Sequence, residues 1–182
     1  MTISLYRSLP NFITVGRLAL VPAIIAAISA ERWRAACLLF VVAGLSDAAD
    51  GWIAKSFDLR SELGAYLDPL ADKALIVSIY VALAIVGAVP ATISILVVAR
   101  DVMIVGAFMV SWFLHKPMAV RPLLISKLNT LVQLGCAAMV LAVKAFDFPV
   151  GSWFEISLFA VAFLTIASMA AYFEQWMKHM SV

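Results

Sequence analysis

Apolar residues fill this chain in six long runs, at roughly 11–29, 35–55, 63–87, 90–114, 123–145 and 153–176. A run of about 20 apolar residues is long enough to cross the hydrocarbon core of a bilayer as an α-helix. The pattern therefore predicts an all-α, polytopic integral membrane protein: six transmembrane helices forming a single domain over 1–182. The breaks between runs are short. Residues 56–61 separate the second from the third. Pro90 opens the fourth, where its missing N–H costs nothing. Pro117 and Pro122 bracket the loop before the fifth, and 148–151 turn into the sixth. Residues 2–9 mix apolar and polar positions ahead of Pro10 and predict a short N-terminal interfacial helix. The first run has no small-residue cleavage site behind it and reads as a retained helix.

Composition agrees with this picture. The chain of 182 residues is 65% hydrophobic, with a mean hydropathy of +1.05. Its net charge of +2 says little for a membrane protein, and no nucleic-acid partner is expected. The placement of the charges is more informative. Six spans put both termini on one side, with the 56–62 and 115–122 loops, and that side collects Arg7, Arg60, Lys116, Arg121 and Lys178. The other side keeps Arg32, Arg34 and Lys144. The positive-inside rule makes the first side cytoplasmic, and a bacterial inner membrane is the expected location. Trp153 and Trp176 fit aromatic belts at the ends of the last span. Cys37 and Cys136 fall in different runs, form no CxxC, and read as small buried hydrophobes. His115 and His179 sit near span ends and read as solvated.

Four carboxylates interrupt the second and third runs: Asp47, Asp50, Asp68 and Asp72. Each costs roughly 2.5–3.5 kcal/mol to place in a membrane helix, so the cluster calls for cations. Asp47 and Asp50 are three apart and share one helix face; Asp68 and Asp72 are four apart and share another. Two helices joined by a short loop are expected to be antiparallel neighbours, with the four carboxylates converging between them. Hard oxygen ligands suit Mg²⁺, Mn²⁺ or Ca²⁺, and four could hold two ions, as in phosphoryl transfer. Gly51 and Gly64 allow close approach of a ligand or backbone. The plainer reading pairs these aspartates with Lys55, Arg60 and Lys73 as interfacial salt bridges, which leaves the spacing and the glycines unexplained. Arg17, within the first run, either snorkels to the headgroups or faces a polar cavity.

The segment resembles the signature of the CDP-alcohol phosphotransferases, D-x-x-D-G-x-x-A-R, eight residues, then G-x-x-x-D-x-x-x-D. Asp47, Asp50, Gly51, Ala54, Gly64, Asp68 and Asp72 fall in register, and Lys55 stands where the family usually has Arg. Six spans in this length also resemble the family's minimal domain. The resemblance implies two Mg²⁺ or Mn²⁺ ions held by Asp47, Asp50, Asp68 and Asp72, with Asp72 also acting as the general base. It implies a CDP site lined by Gly51, Ala54, Lys55, Ser61 and Gly64, CDP-diacylglycerol as the donor, and a homodimer.

Two further stretches, 100–104 (RDVMI) and 125–130 (ISKLNT), resemble the cardiolipin synthase branch, as does 59–73. That branch joins CDP-diacylglycerol to phosphatidylglycerol, giving cardiolipin and CMP. The phosphatidylglycerophosphate synthases, with glycerol 3-phosphate as acceptor, share a related fifth-span pattern and stay open as the alternative. Either acceptor carries a phosphate, for which Arg100, Arg121 and Lys127 are the candidate partners. Asp101 projects about 100° from Arg100 on a helix, so the two are not expected to face each other. Rival classes are an intramembrane prenyltransferase, which would need a second Asp-rich region, and a cation transporter, whose carboxylates would line a path through the bilayer.

Overall fold

The computed structural model describes the backbone of residues 2–56, 62–113 and 123–180 and, within these, the side chains of 16–47, 73–107, 109–111, 113 and 123–179. Among the described residues there are six α-helices and no strand: α1 (Thr2–Ser29), α2 (Trp33–Ser56), α3 (Glu62–Ile85), α4 (Ala91–Phe113), α5 (Leu124–Phe146) and α6 (Ser152–Met180). The shortest has 23 residues, about 35 Å at 1.5 Å per residue, which exceeds the ~30 Å of a hydrocarbon core. Within α4, α5 and α6, the stretches Ala91–Ser111, Leu124–Phe146 and Ser152–His179 are long and apolar enough to cross a membrane, and Gly16–Ser29 and Lys73–Ile85 are shorter apolar stretches. The chain is an all-α membrane protein, as its apolar runs predict. One boundary differs. α1 is continuous from Thr2 through Pro10, so 2–9 form its first turns rather than a separate interfacial helix. Proline within a membrane helix is tolerated where neighbouring groups re-satisfy the freed backbone carbonyl.

α1 packs against both α2 and α3, α5 against α2, α3 and α6, and α4 against α3 and α6. The shared core includes Ile24, Ile28, Phe40, Ile79, Leu83, Val97, Leu141 and Val161, and buried Ala27, Ala36, Ala43 and Ala137 let helices approach closely. The outer surface is apolar too: Leu38, Leu45, Ile85, Ile95, Leu131, Phe159 and Phe163 are all exposed, as lipid-facing positions should be.

Three turns share one construction. After α1, Glu31 takes φ 54° and Arg32 N–H donates to Ala27 O at 2.8 Å. After α3, Gly87 takes φ 70° and Ala88 N–H donates to Leu83 O at 2.8 Å. After α5, Asp147 takes φ 54° and Phe148 N–H donates to Val143 O at 3.2 Å. A left-handed residue followed by a bond spanning six residues is the Schellman helix ending. Glycine takes that conformation freely, whereas the acidic residues hold it at a cost of roughly 1–2 kcal/mol each. The chain reverses direction at each of these turns, which close one end of the bundle.

Candidate functional site

Backbone geometry places the aspartate segment at the end away from those three turns. Asp50 lies six residues before the end of α2 and Asp68 six residues after the start of α3. At 1.5 Å per residue both sit about 9 Å from the helix ends. Asp47 and Asp72 lie about one turn deeper on the same two helices. The motif therefore has matching depths on α2 and α3. Asp50, Gly51, Ala54, Lys55, Gly64, Asp68 and Asp72 all occupy helical backbone, and their side chains lie outside the described residues. Ser61 and Arg121 lie outside the described residues altogether.

The expected direct packing of α2 on α3 is not found among the described residues; both helices pack on α1 and on α5 instead. The physical consequence is visible at Asp47. Its Oδ1 lies 2.6 Å from Nη1 of Arg17 on α1. The Arg17 side chain is 1% exposed and that of Asp47 51%. Arg17 therefore does not snorkel. It is held inside the bundle against the first aspartate of the motif, because a guanidinium withdrawn from water requires a nearby anion. The side chain of Lys55 and the whole of Arg60 lie outside the described residues. Among the described residues no cation is paired with the second carboxylate oxygen of Asp47, Oδ2. Among the described residues no group of three or more His, Cys, Asp or Glu side chains converges.

Arg100 organises a second polar centre. It is buried within α4, and Nη1 lies 2.5 Å from Oδ1 of the adjacent Asp101. This corrects the expectation that the two do not face each other. The arginine stem is long enough to swing its planar head around the helix, and the low-dielectric interior favours the pair over two separate buried charges. Nη2 donates to Ser126 Oγ on α5. Nε and Nη2 each reach Ser168 Oγ on α6 at 3.4 Å. The guanidinium carbon also lies 5.8 Å from the Tyr172 ring centroid, within cation–π range. One Nη1 hydrogen is left unassigned by these contacts. Lys73, directly after Asp72, brings Nζ to 4.0 Å from Asp101 Oδ1, which joins the aspartate segment of α3 to this centre. Lys127 is exposed on the first turn of α5, one residue from Ser126.

A third polar group was not anticipated by the sequence reading. Gln133 Nε2 donates to Thr165 Oγ1 at 3.1 Å, and Thr165 Oγ1 donates to Asn129 Oδ1 at 3.0 Å. Tyr80 on α3 donates its hydroxyl to the Gln133 carbonyl at 3.0 Å, and Ser94 on α4 donates to the Tyr80 carbonyl at 2.7 Å. Asn129, Gln133 and Thr165 are buried. Asn129 Nδ2 has no hydrogen-bond partner among the described residues. The signal was present: Ser126, Asn129 and Gln133 recur at helical spacing on one face of an apolar run. Ser126 faces Arg100, and the other two form a seam with α6.

The arrangement thus combines an Asp-rich segment at one end of α2 and α3, a buried cation on its first member, and a second buried guanidinium tied to the same end through Lys73. Residues 7–173 match the CDP-alcohol phosphatidyltransferase family. The chain is 33% identical over 200 residues to a human cardiolipin synthase (CMP-forming), covering 100% of this chain and 66% of that protein. It is 31% identical over 191 residues to the rat enzyme of the same name, covering 96% of this chain and 63% of that protein. A CDP-diacylglycerol–glycerol-3-phosphate 3-phosphatidyltransferase from Rickettsia bellii is 31% identical over 183 residues, covering 95% of this chain and 97% of that protein. The chain thus spans slightly less than two thirds of the two mammalian relatives and nearly all of the rickettsial one. It belongs to the CDP-alcohol phosphatidyltransferase family.

Proposed function

We propose that the protein transfers a phosphatidyl group from CDP-diacylglycerol to phosphatidylglycerol, forming cardiolipin and releasing CMP. The observation that carries the reading is the aspartate signature, in register from Asp47 to Asp72 and at matched depth on two helices of a family member. The similarity to the mammalian cardiolipin synthases supports this choice of acceptor. The rickettsial relative of nearly equal length supports glycerol 3-phosphate as the alternative.

In this reading Asp47, Asp50, Asp68 and Asp72 hold two Mg²⁺ or Mn²⁺ ions. The donor set is suited to them: hard carboxylate oxygens, with Asp47 half-exposed. When bound, such ions neutralise the diphosphate and the charge on departing CMP. Arg17 fixes the rotamer of Asp47 by holding Oδ1. Gly51, Ala54, Lys55, Ser61 and Gly64 line the site for the cytidine diphosphate. Asp72 accepts the proton of the acceptor hydroxyl as that oxygen bonds to the β-phosphorus and the bond from this phosphorus to the oxygen of CMP breaks. Arg100, Arg121 and Lys127 attract the acceptor phosphate. The reading places the aspartate end at the cytoplasmic face of a bacterial inner membrane and the protein in a homodimer.

Purified protein is tested with CDP-diacylglycerol and Mn²⁺, offering phosphatidylglycerol and glycerol 3-phosphate in separate reactions, with the lipid product identified by mass spectrometry. Cardiolipin from the first and little product from the second is the expected result. Phosphatidylglycerophosphate as the dominant product would assign the alternative acceptor. No CMP from either would remove the reading.

A further inference from the structure

The turns α1–α2 and α5–α6 meet at the end of the bundle away from the aspartates. Between them lies a cavity of about 480 Å³, lined by Glu31, Arg32, Trp33, Arg34, Lys144 and Asp147 among others. Its size falls in the ~300–1,000 Å³ range of ligand sites. Trp33 begins α2 and Asp47 lies 14 residues further along it, about 21 Å away along the helix. The cavity is therefore separate from the proposed active site.

Its charges are arranged for a purpose other than pairing with each other. Glu31 and Asp147 are the left-handed residues that close the two turns, so they have a backbone role. Among the described residues neither forms an ion pair with Arg32, Arg34 or Lys144. Arg34 spends only Nε, which donates to the Ala145 carbonyl at 3.2 Å, and both Nη groups stay available. Lys144 Nζ lies 5.6 Å from the Trp33 ring centroid, a contact that orients the ammonium without neutralising it. Arg32 is exposed. Three cations thus border one cavity with their hydrogen-bond donors largely unspent. Phe146, Phe148, Val150 and Trp153, in and beside the α5–α6 turn, are all exposed. Trp153 among them is of the type enriched at the level of lipid headgroups, and the others offer apolar surface beside it.

We propose that this cavity binds the phosphate of an anionic phospholipid headgroup, from the leaflet opposite the one that the aspartate end faces. The cations supply the phosphate contacts, and the exposed apolar residues beside the turn receive the upper acyl chain. The site does not depend on which acceptor the active site uses.

The test reads hydrogen exchange in nanodiscs of phosphatidylcholine alone and with increasing phosphatidylserine, a lipid that the proposed reaction neither consumes nor forms. Phosphatidylserine should slow exchange in 29–34 and 145–152 and leave the aspartate end of α2 unchanged. Each cation near a headgroup contributes about 1 kcal/mol, roughly fivefold in affinity. Arg32→Gln/Lys144→Gln should therefore raise the phosphatidylserine fraction needed for half-maximal protection by about 30-fold. Arg32→Gln alone, at an exposed position where folding is not at risk, should raise it about fivefold. Absence of lipid-dependent protection in the wild type would overturn the proposal, as would full protection in both variants. Equal protection by millimolar inorganic phosphate in phosphatidylcholine discs would also overturn it, identifying a soluble-anion site instead.

Discussion

The Arg17–Asp47 pair leads to an asymmetric expectation that can be measured without substrate. Replacing Asp47 by Asn removes the anion at Nη1 of a guanidinium that is 1% exposed, whereas replacing Arg17 by Met leaves a carboxylate that is 51% exposed and partly hydrated. Breaking a fully buried pair costs about 3–5 kcal/mol, and an exposed pair is worth about 0.2–1 kcal/mol. The first substitution should fall near ~3 kcal/mol and the second near ~1 kcal/mol. At about 2–4 °C per kcal/mol for a chain of this size, the shifts are roughly 6–12 °C and 2–4 °C. The assay is thermal unfolding of purified protein in detergent with chelator present, so that no metal contributes. Glu155→Gln is the control, since it removes an exposed carboxylate from another helix. The double variant Arg17→Met/Asp47→Asn should be less destabilised than the sum of the single variants by about 2 kcal/mol. Additivity within ~0.5 kcal/mol, or Arg17→Met costing more than Asp47→Asn, would refute the account of a buried cation held by this aspartate.

Asp50→Asn and Asp68→Asn should each lower CMP release at least about 100-fold, assayed with saturating Mn²⁺, because each removes a charged ligand from the proposed two-ion site. Asp72→Asn should lose transfer yet keep binding of a soluble CDP-lipid analogue by calorimetry, while Asp47→Asn loses both; equal loss of binding would make Asp72 a ligand only. Lys55→Arg should be tolerated and Lys55→Ala should raise KM for the CDP-lipid several-fold, with wild-type kinetics in the Ala variant reducing Lys55 to an interfacial anchor. Arg100→Lys keeps the charge but cannot bridge Asp101, Ser126 and Ser168 together; it should reduce kcat/KM for the acceptor by about tenfold or more and leave KM for the donor little changed.

Much of the fold was legible because the bilayer imposes it. Apolar runs of about 20 residues have one outcome, and the six helices follow the six runs closely. The turns are a finer matter: Gly87 announces a left-handed helix ending, whereas nothing in Glu31 or Asp147 requires one. The aspartate motif was legible because its offsets encode a helix face. Its partner was not, because Arg17 is 30 residues away in sequence and only the packing of α1 on α2 brings it to Asp47. Arg100 shows the limit of angular reasoning, since a side chain of four rotatable bonds can cross the 100° that separates neighbouring positions. The seam of Asn129, Gln133 and Thr165 carried a periodic signal on α5 alone, and its meaning depended on what α6 presents opposite.

That seam also constrains how the protein is made. Asn129 and Gln133 belong to α5, but the hydroxyl that joins them is Thr165 of α6, which leaves the ribosome later. Hydrocarbon offers an early-released α5 no donor or acceptor in its place. The last two helices therefore gain by entering the bilayer as a hairpin, or by α5 waiting beside the insertion machinery until α6 arrives. A nascent chain that ends after α5 would carry exposed amides in lipid, the kind of defect by which membrane quality control distinguishes an unfinished protein from a finished one.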